Sequence, residues 1–132
     1  WQGVAKLYNE EALKYGATMA VAFALLNIDK DGTPSTALGP RMGIEPTSLS
    51  RTLKNMEEKG LIVRKKNPKD GRSVLVFLTE YGIEMRNISK EKVITFNESI
   101  YDSIDIEKIK NFHEVTDKIL ELIQQRNIFT KK

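Results

Sequence analysis

The chain has 132 residues, 15.0 kDa, 40% hydrophobic and 30% charged side chains and a formal net charge of +3, which sizes it as one folding unit with material for a core. No apolar run approaches the roughly 18 residues of a membrane span, and the longest candidate, Ala17 to Ile28, suits a buried helix. Cysteine is absent and His113 is the lone histidine, which excludes disulfides, thiolate zinc, cysteine nucleophiles, thiol redox sensing and a histidine-built metal site.

The chain shows no signal peptide, and it opens at Trp1 instead of methionine, so natural residues ahead of Trp1 are expected. Val4, Leu7, Tyr8, Ala12 and Tyr15 recur at helical intervals and predict a first amphipathic helix that Gly16 interrupts. Thr18 to Ile28 is apolar nearly all round, as suits a helix at the centre of a domain, and the turn formers up to Gly32 end it. Two short helices follow. Ser35 can cap the first, which runs to about Met42 and stops at the sharp turn of Gly43. Gly39-Pro40 lies inside it and predicts a break or a 3₁₀ segment, because proline deletes a backbone hydrogen bond.

Pro46 suits the first turn of the second helix, which should run to Lys59 with Gly60 as its stop. Leu49, Leu53 and Met56 share one face of it, while Thr47, Arg51, Lys54 and Glu58 fall opposite, flanked by Ser48 and Asn55. Glu45 stands at the cap position, where Asp, Ser or Thr would serve better. The period then changes from helical to alternating, and Leu61 to Asn67 and Ser73 to Leu78 read as two strands. Pro68 to Arg72 joins them, with Asp70-Gly71 as the hairpin-turn signal. Thr79-Glu80 opens a helix carrying Tyr81, Met85, Ile88 and Phe96 towards the interior. Asp105 should cap a last helix to about Asn127, striped by Ile109, Phe112, Ile119, Leu122 and Ile123, before a frayed tail from Thr130 to Lys132.

Charge is concentrated in the middle of the chain. Between Arg41 and Arg72 nine basic residues face four acidic ones, and the flanks are slightly acidic. Helix, glycine turn, helix and basic hairpin in that order form an apparatus for reading duplex DNA. A major groove about 12 Å wide accepts one helix, and the donor and acceptor patterns on its floor differ between base pairs. Thr47 and Ser48 near the helix start, with Arg51 and Lys54 further on, supply the short polar and long cationic side chains such a helix needs. Ser35 and Lys69 are further candidate DNA contacts. The hairpin can reach the neighbouring minor groove, where narrow A·T-rich segments attract arginine, and Arg72 is the candidate for that insertion. Asp70 is expected to support the wing by holding Arg72 in one rotamer.

Gly43 to Gly82 resembles the DNA-binding core of MarR-family regulators. The likeness rests on Ser50-Arg51, the exit Glu58 to Ile62, the wing Asp70-Gly71-Arg72-Ser73 and the stretch Leu78 to Gly82. The flanking helices fit the same arrangement, so the resemblance covers nearly the whole chain. It implies a mainly α fold with a small β-hairpin, a winged helix-turn-helix with N- and C-terminal dimerisation helices in a single domain, 1–132. Its expected parts are dimerisation helices at 1–16 and 105–127, a reading core at 18–80 and a connecting helix at 80–104. The implied function is a cytoplasmic, ligand-responsive repressor binding a pseudo-palindromic operator as a homodimer, with Arg51 in the major groove and Arg72 in the minor groove.

Val4, Leu7, Ile109, Phe112, Ile119, Leu122 and Ile123 are the candidate dimer interface, although the last helix could instead pack within one subunit. Tyr8, Tyr15, Met19 and Phe23 could line a pocket for a small hydrophobic or aromatic effector, with core packing as the competing explanation. The alternative function is a winged-helix module that binds an acidic protein surface and no DNA. No catalytic constellation, cofactor motif or metal cluster is legible, and an enzyme is not expected.

Overall fold

The computed structural model describes residues 1–125 and 129. Among them are six helices and three strands, in the order α1 (Gln2–Leu13), α2 (Met19–Asn27), β1 (Thr33–Pro34), α3 (Ser35–Met42), α4 (Pro46–Glu58), β2 (Ile62–Lys66), β3 (Val74–Leu78), α5 (Glu80–Ser103) and α6 (Ile106–Gln124). The expected helix end at Asn127 and the fraying of Thr130 to Lys132 lie outside the described residues. The chain divides into two compact units, Trp1–Lys92 and Val93–Lys132.

In the first unit, α1 to α4 and the start of α5 enclose a core with a three-stranded antiparallel sheet of order β1-β3-β2. Ala24, Leu25, Ile28, Leu38, Met56, Ile62 and Val76 are almost wholly shielded from water. Apolar burial is the dominant favourable term in folding, and it seats the helices against the sheet. Thr18 Oγ accepts a hydrogen bond from the Val21 N–H at 3.3 Å and so caps α2. That helix is less enclosed than its composition predicts, because Phe23 is exposed. The first helix ends at Leu13, so Tyr15 lies in the turn beyond it; Ala12 is its one buried residue.

α5 begins where Thr79 ties two chain segments together. Its hydroxyl donates to the Gly60 carbonyl at 2.6 Å and accepts from the Gly82 N–H at 3.0 Å, while its own N–H donates to the Leu61 carbonyl at 3.1 Å. Gly82 presses against Leu61 so closely that a Cβ there would lie 2.0 Å from the Leu61 carbonyl oxygen. Gly82 and Met85 therefore define the inward face, with Ile88 half-buried against the core. Tyr81 is exposed, contrary to expectation: it stands in the first turn of α5, one helical turn before the buried Met85.

The second unit holds the rest of α5 and α6. The Asp105 carboxylate accepts from the Glu107 N–H at 2.8 Å and caps α6 as predicted. Among the described residues of α6 only Ile109 is buried. Phe112, Val115, Ile119, Leu120, Leu122 and Ile123 are exposed.

Two expectations for α3 are corrected. Ser35 is the first helical residue and makes no capping bond; Pro34 occupies the cap position, with its backbone in an extended conformation. Gly39-Pro40 causes no break, and the helix is a continuous α-helix of eight residues. Gly39 has no Cβ to clash with the proline ring, and both Pro40 and Thr36 are exposed, so water can satisfy the carbonyl that loses its partner. The sheet also carries β1, which the sequence did not suggest. Two residues show no alternation, but Thr33 and Pro34 pair in register with Val76 and Leu75.

Candidate nucleic-acid interface

α3 and α4 form a helix-turn-helix. Gly43 closes α3 in the left-handed region, at φ 64°, a conformation that costs glycine no steric penalty. Pro46 opens α4, and Glu45 makes no side-chain cap. The two faces of α4 separate as its sequence requires. Leu49, Leu53 and Met56 are buried, a burial that typically contributes about 1.5–3 kcal/mol for each such side chain. Thr47, Ser48, Ser50, Arg51, Lys54 and Asn55 are all exposed. The buried stripe fixes the rotation of the helix and thereby the direction its polar residues face.

The β2–β3 hairpin carries the rest of the basic segment. Ile62 pairs with Leu78 and Lys66 with Val74. At the tip, the Ser73 N–H donates to the Asp70 carbonyl at 3.1 Å and the Asn67 N–H donates to the Ser73 carbonyl at 3.0 Å. Asp70-Gly71 marks the turn correctly, but Gly71 does not use the left-handed conformation that motif usually supplies. The loop is longer than two residues and needs no such twist. Asp70 acts differently from expectation too. Its carboxylate accepts from the backbone N–H of Arg72 at 3.1 Å and makes no ion pair with the guanidinium. It orders the loop and leaves the Arg72 side chain unrestrained.

The nine basic residues of the segment are not equivalent. Arg41 donates to the Asn27 carbonyl and pairs with Asp29 at 2.8 Å, and it holds that carboxyl below its ordinary range, with Thr33 helping. Arg64 pairs with Glu57 and depresses that carboxyl as well. Lys59 donates to the Gly16 carbonyl, Lys65 lies over the Phe77 ring, and Lys54 stands 4.0 Å from Glu58. Among the described residues of the segment, the side chains of Arg51, Lys66, Lys69 and Arg72 have no partner in the chain. Lys66 is a candidate the sequence reading did not single out; its freedom depends on which neighbouring cations are engaged, which composition does not reveal.

A cavity of about 810 Å³ opens between α3, α4 and the hairpin, lined among others by Ser35, Gly39, Leu49, Ser50, Arg64 and Val74. Ser35 is half-buried on this wall instead of standing free beside Thr47. The four residues expected around an effector lie elsewhere, at the junction of α1 and α2. Tyr8 and Met19 are half-buried, Tyr15 and Phe23 are exposed, and none belongs to the core cluster. Lys92 stands over the Tyr15 ring. Of the residues expected in a dimer interface, Ile109 is already buried in the single chain, Val4 is half-buried, and Leu7, Phe112, Ile119, Leu122 and Ile123 are exposed. Among the described residues no helix is long and apolar enough to cross a membrane.

Comparison with known proteins agrees with this architecture. A sequence model of the MarR family matches residues 19–74. The chain is 26% identical over 129 residues to the HTH-type transcriptional regulator SarZ of Staphylococcus epidermidis, spanning 97% of this chain and 80% of that one. An uncharacterized HTH-type transcriptional regulator of Mycobacterium leprae is 30% identical over 112 residues, spanning 77% of this chain and 72% of that protein. The structure also superposes on the S. aureus MepR–DNA complex with a TM-score of 0.83 at 17% identity, covering 91% of this chain and 90% of that one. Matched across its reading head by the family and along most of its length by such regulators, the chain belongs to the MarR family of transcriptional regulators.

Proposed function

We infer that this regulator binds duplex DNA sequence-specifically, with α4 in the major groove and the β2–β3 wing over the adjacent minor groove. The observation carrying this reading is the division of α4: a buried Leu49–Leu53–Met56 stripe behind an exposed Thr47, Ser48, Arg51 and Lys54 face, beside a hairpin bearing the free cations Lys66, Lys69 and Arg72. Arg51 reads bases, Thr47 and Ser48 contact phosphate or base edges near the helix start, and the lysines neutralise phosphates. Ser35, which lines the cleft beside α4, is the weakest of the contacts. The MepR structure of the same fold, a DNA complex, supports DNA as the partner. Such a protein acts where the chromosome is, in the cytoplasm, and its work is binding, not catalysis.

The exposed apolar stripe of α6 supports a homodimer, since single soluble chains seldom leave so contiguous a patch uncovered. A two-fold dimer would place its reading helices about 34–36 Å apart, on half-sites of a pseudo-palindrome. A small aromatic effector at Tyr8, Tyr15, Met19 and Phe23 would relieve repression by favouring a dimer with another spacing. Selection from random duplexes tests the reading. An enriched inverted repeat with half-sites about one helical turn apart is expected. A selection that enriches nothing, while an acidic protein partner is captured, would favour the protein-binding alternative.

A further inference from the structure

The loop between α2 and β1 is bonded on both sides. The Asp29 N–H donates to Thr33 Oγ1 at 2.8 Å, and the Asp29 carboxylate accepts from the Thr33 hydroxyl at 3.2 Å and from Arg41 of α3 at 2.8 Å. Thr33 is fully buried and sits opposite Val76 of β3. One residue earlier, Gly32 adopts φ +94° and lies on the Phe77 ring: a Cβ there would stand 2.5 Å from Cε1 and 2.7 Å from Cζ. On β2, Lys65 Nζ stands 5.4 Å from the centroid of the same ring. The register explains that contact. Phe77 is opposite Val63, so Lys65 is its diagonal neighbour on one face of the ribbon.

The base of the wing is seated by buried Ile62 and Val76 and by the Arg64–Glu57 pair with α4, and this stack adds a brace at Phe77. The wing consists of two five-residue strands, and its β3 edge is covered by a strand of only two residues. Hydrogen-bond register fixes how strands slide, but narrow ribbons twist more freely than wide sheets. A side-on contact at Phe77 removes that freedom, and the Asp29–Arg41 pair ties the same loop to the helix-turn-helix. We propose that Gly32 and Phe77 are positioning residues for DNA reading. Their contact sets the inclination of the wing to α4, and with it the reach of Arg72 into the minor groove beside the half-site. This rests on the DNA-binding mode inferred above. A Cβ at Gly32 would meet the Phe77 ring at 2.5 Å and would strain the backbone at φ +94°, so the loop and the hairpin must shift against each other to accept it.

The test compares two duplexes that share the selected half-sites and differ in their flanks, A·T-rich in one and G·C-rich in the other. Affinities are measured for the wild-type chain, Arg72→Ala, Gly32→Ala and Phe77→Leu, with thermal melting of each protein. Wild type should favour A·T-rich flanks, and Arg72→Ala should abolish that preference. Folded Gly32→Ala should lose affinity for the A·T-flanked duplex, on the order of tenfold, while still rejecting mismatches in the half-site read by α4. A general loss of structure would weaken both kinds of discrimination together. Phe77→Leu should show the same selective loss and carries the test where Gly32→Ala does not fold. Retention of the wild-type flank preference by a folded Gly32→Ala or Phe77→Leu overturns the proposal. A preference that is absent in wild type, or that survives Arg72→Ala, overturns the wing reading on which it stands.

Discussion

Arg51 and Arg72 acquire their significance from what surrounds them. Both belong to a run of basic residues whose other members are largely engaged: Arg41 with Asp29, Arg64 with Glu57, Lys59 with the Gly16 carbonyl and Lys65 with Phe77. The sequence was legible where a side chain's role follows from its own spacing. The stripe Leu49, Leu53 and Met56 had one possible inward face, and Arg51 had to stand opposite. It was less legible where the role depends on a partner. Asp70 was expected to hold a guanidinium and instead holds a backbone N–H, a choice between two donors on one residue that no pattern encodes. Gly82 shows the same limit. Its motif was recognisable, but the reason for glycine is the Leu61 carbonyl lying against it. Gly82→Ala should destabilise the fold by about 1–3 kcal/mol or more, since backbone and not a flexible side chain must move. Chemical denaturation measures this, and an unchanged midpoint would show that the α4 exit and α5 are not locked as described.

At the scale of elements, the periodic helices and the two strands of the wing were read correctly, and the two-residue strand β1 was not. α4 and α6 declare themselves by stripes of apolar residues, and Asp105 marks the start of α6 as its cap. β1 is two residues long, so its only signature is the pairing with β3 that tertiary structure supplies. In α3 the local rule against proline was outweighed by context: a glycine before it, solvent around it, and buried Leu38 and Met42 to hold the helix. The lost hydrogen bond nevertheless remains a cost. Pro40→Ala should therefore stabilise the protein, by up to about 3 kcal/mol, as followed by thermal melting. A fall in melting temperature would mean that the proline ring contributes packing the exposed position does not suggest.

The whole molecule combines a first unit built round the core with a second unit whose last helix keeps an apolar face exposed in the single chain. The sequence carried the stripe, but whether it packed inward depended on the number of neighbours available, and within one chain only Ile109 is covered. On the proposed two-fold reading a second copy is the occupant of this face. Ile119→Glu on this face should turn a dimer into monomers by analytical ultracentrifugation while the helical signal is kept, and operator affinity should fall with it. A monomeric wild-type chain would remove that assignment.

In the proposed complex two elements of one chain enter adjacent grooves of one duplex. Footprinting on the selected operator, using a guanine-N7 probe for the major groove and a minor-groove cleavage probe beside it, examines both grooves at once. Protection is expected in both grooves of each half-site, with Arg51→Ala losing the major-groove signal and Arg72→Ala losing only the minor-groove one. Protection confined to a single groove, or a footprint that neither substitution alters, would rule out simultaneous binding of the two grooves.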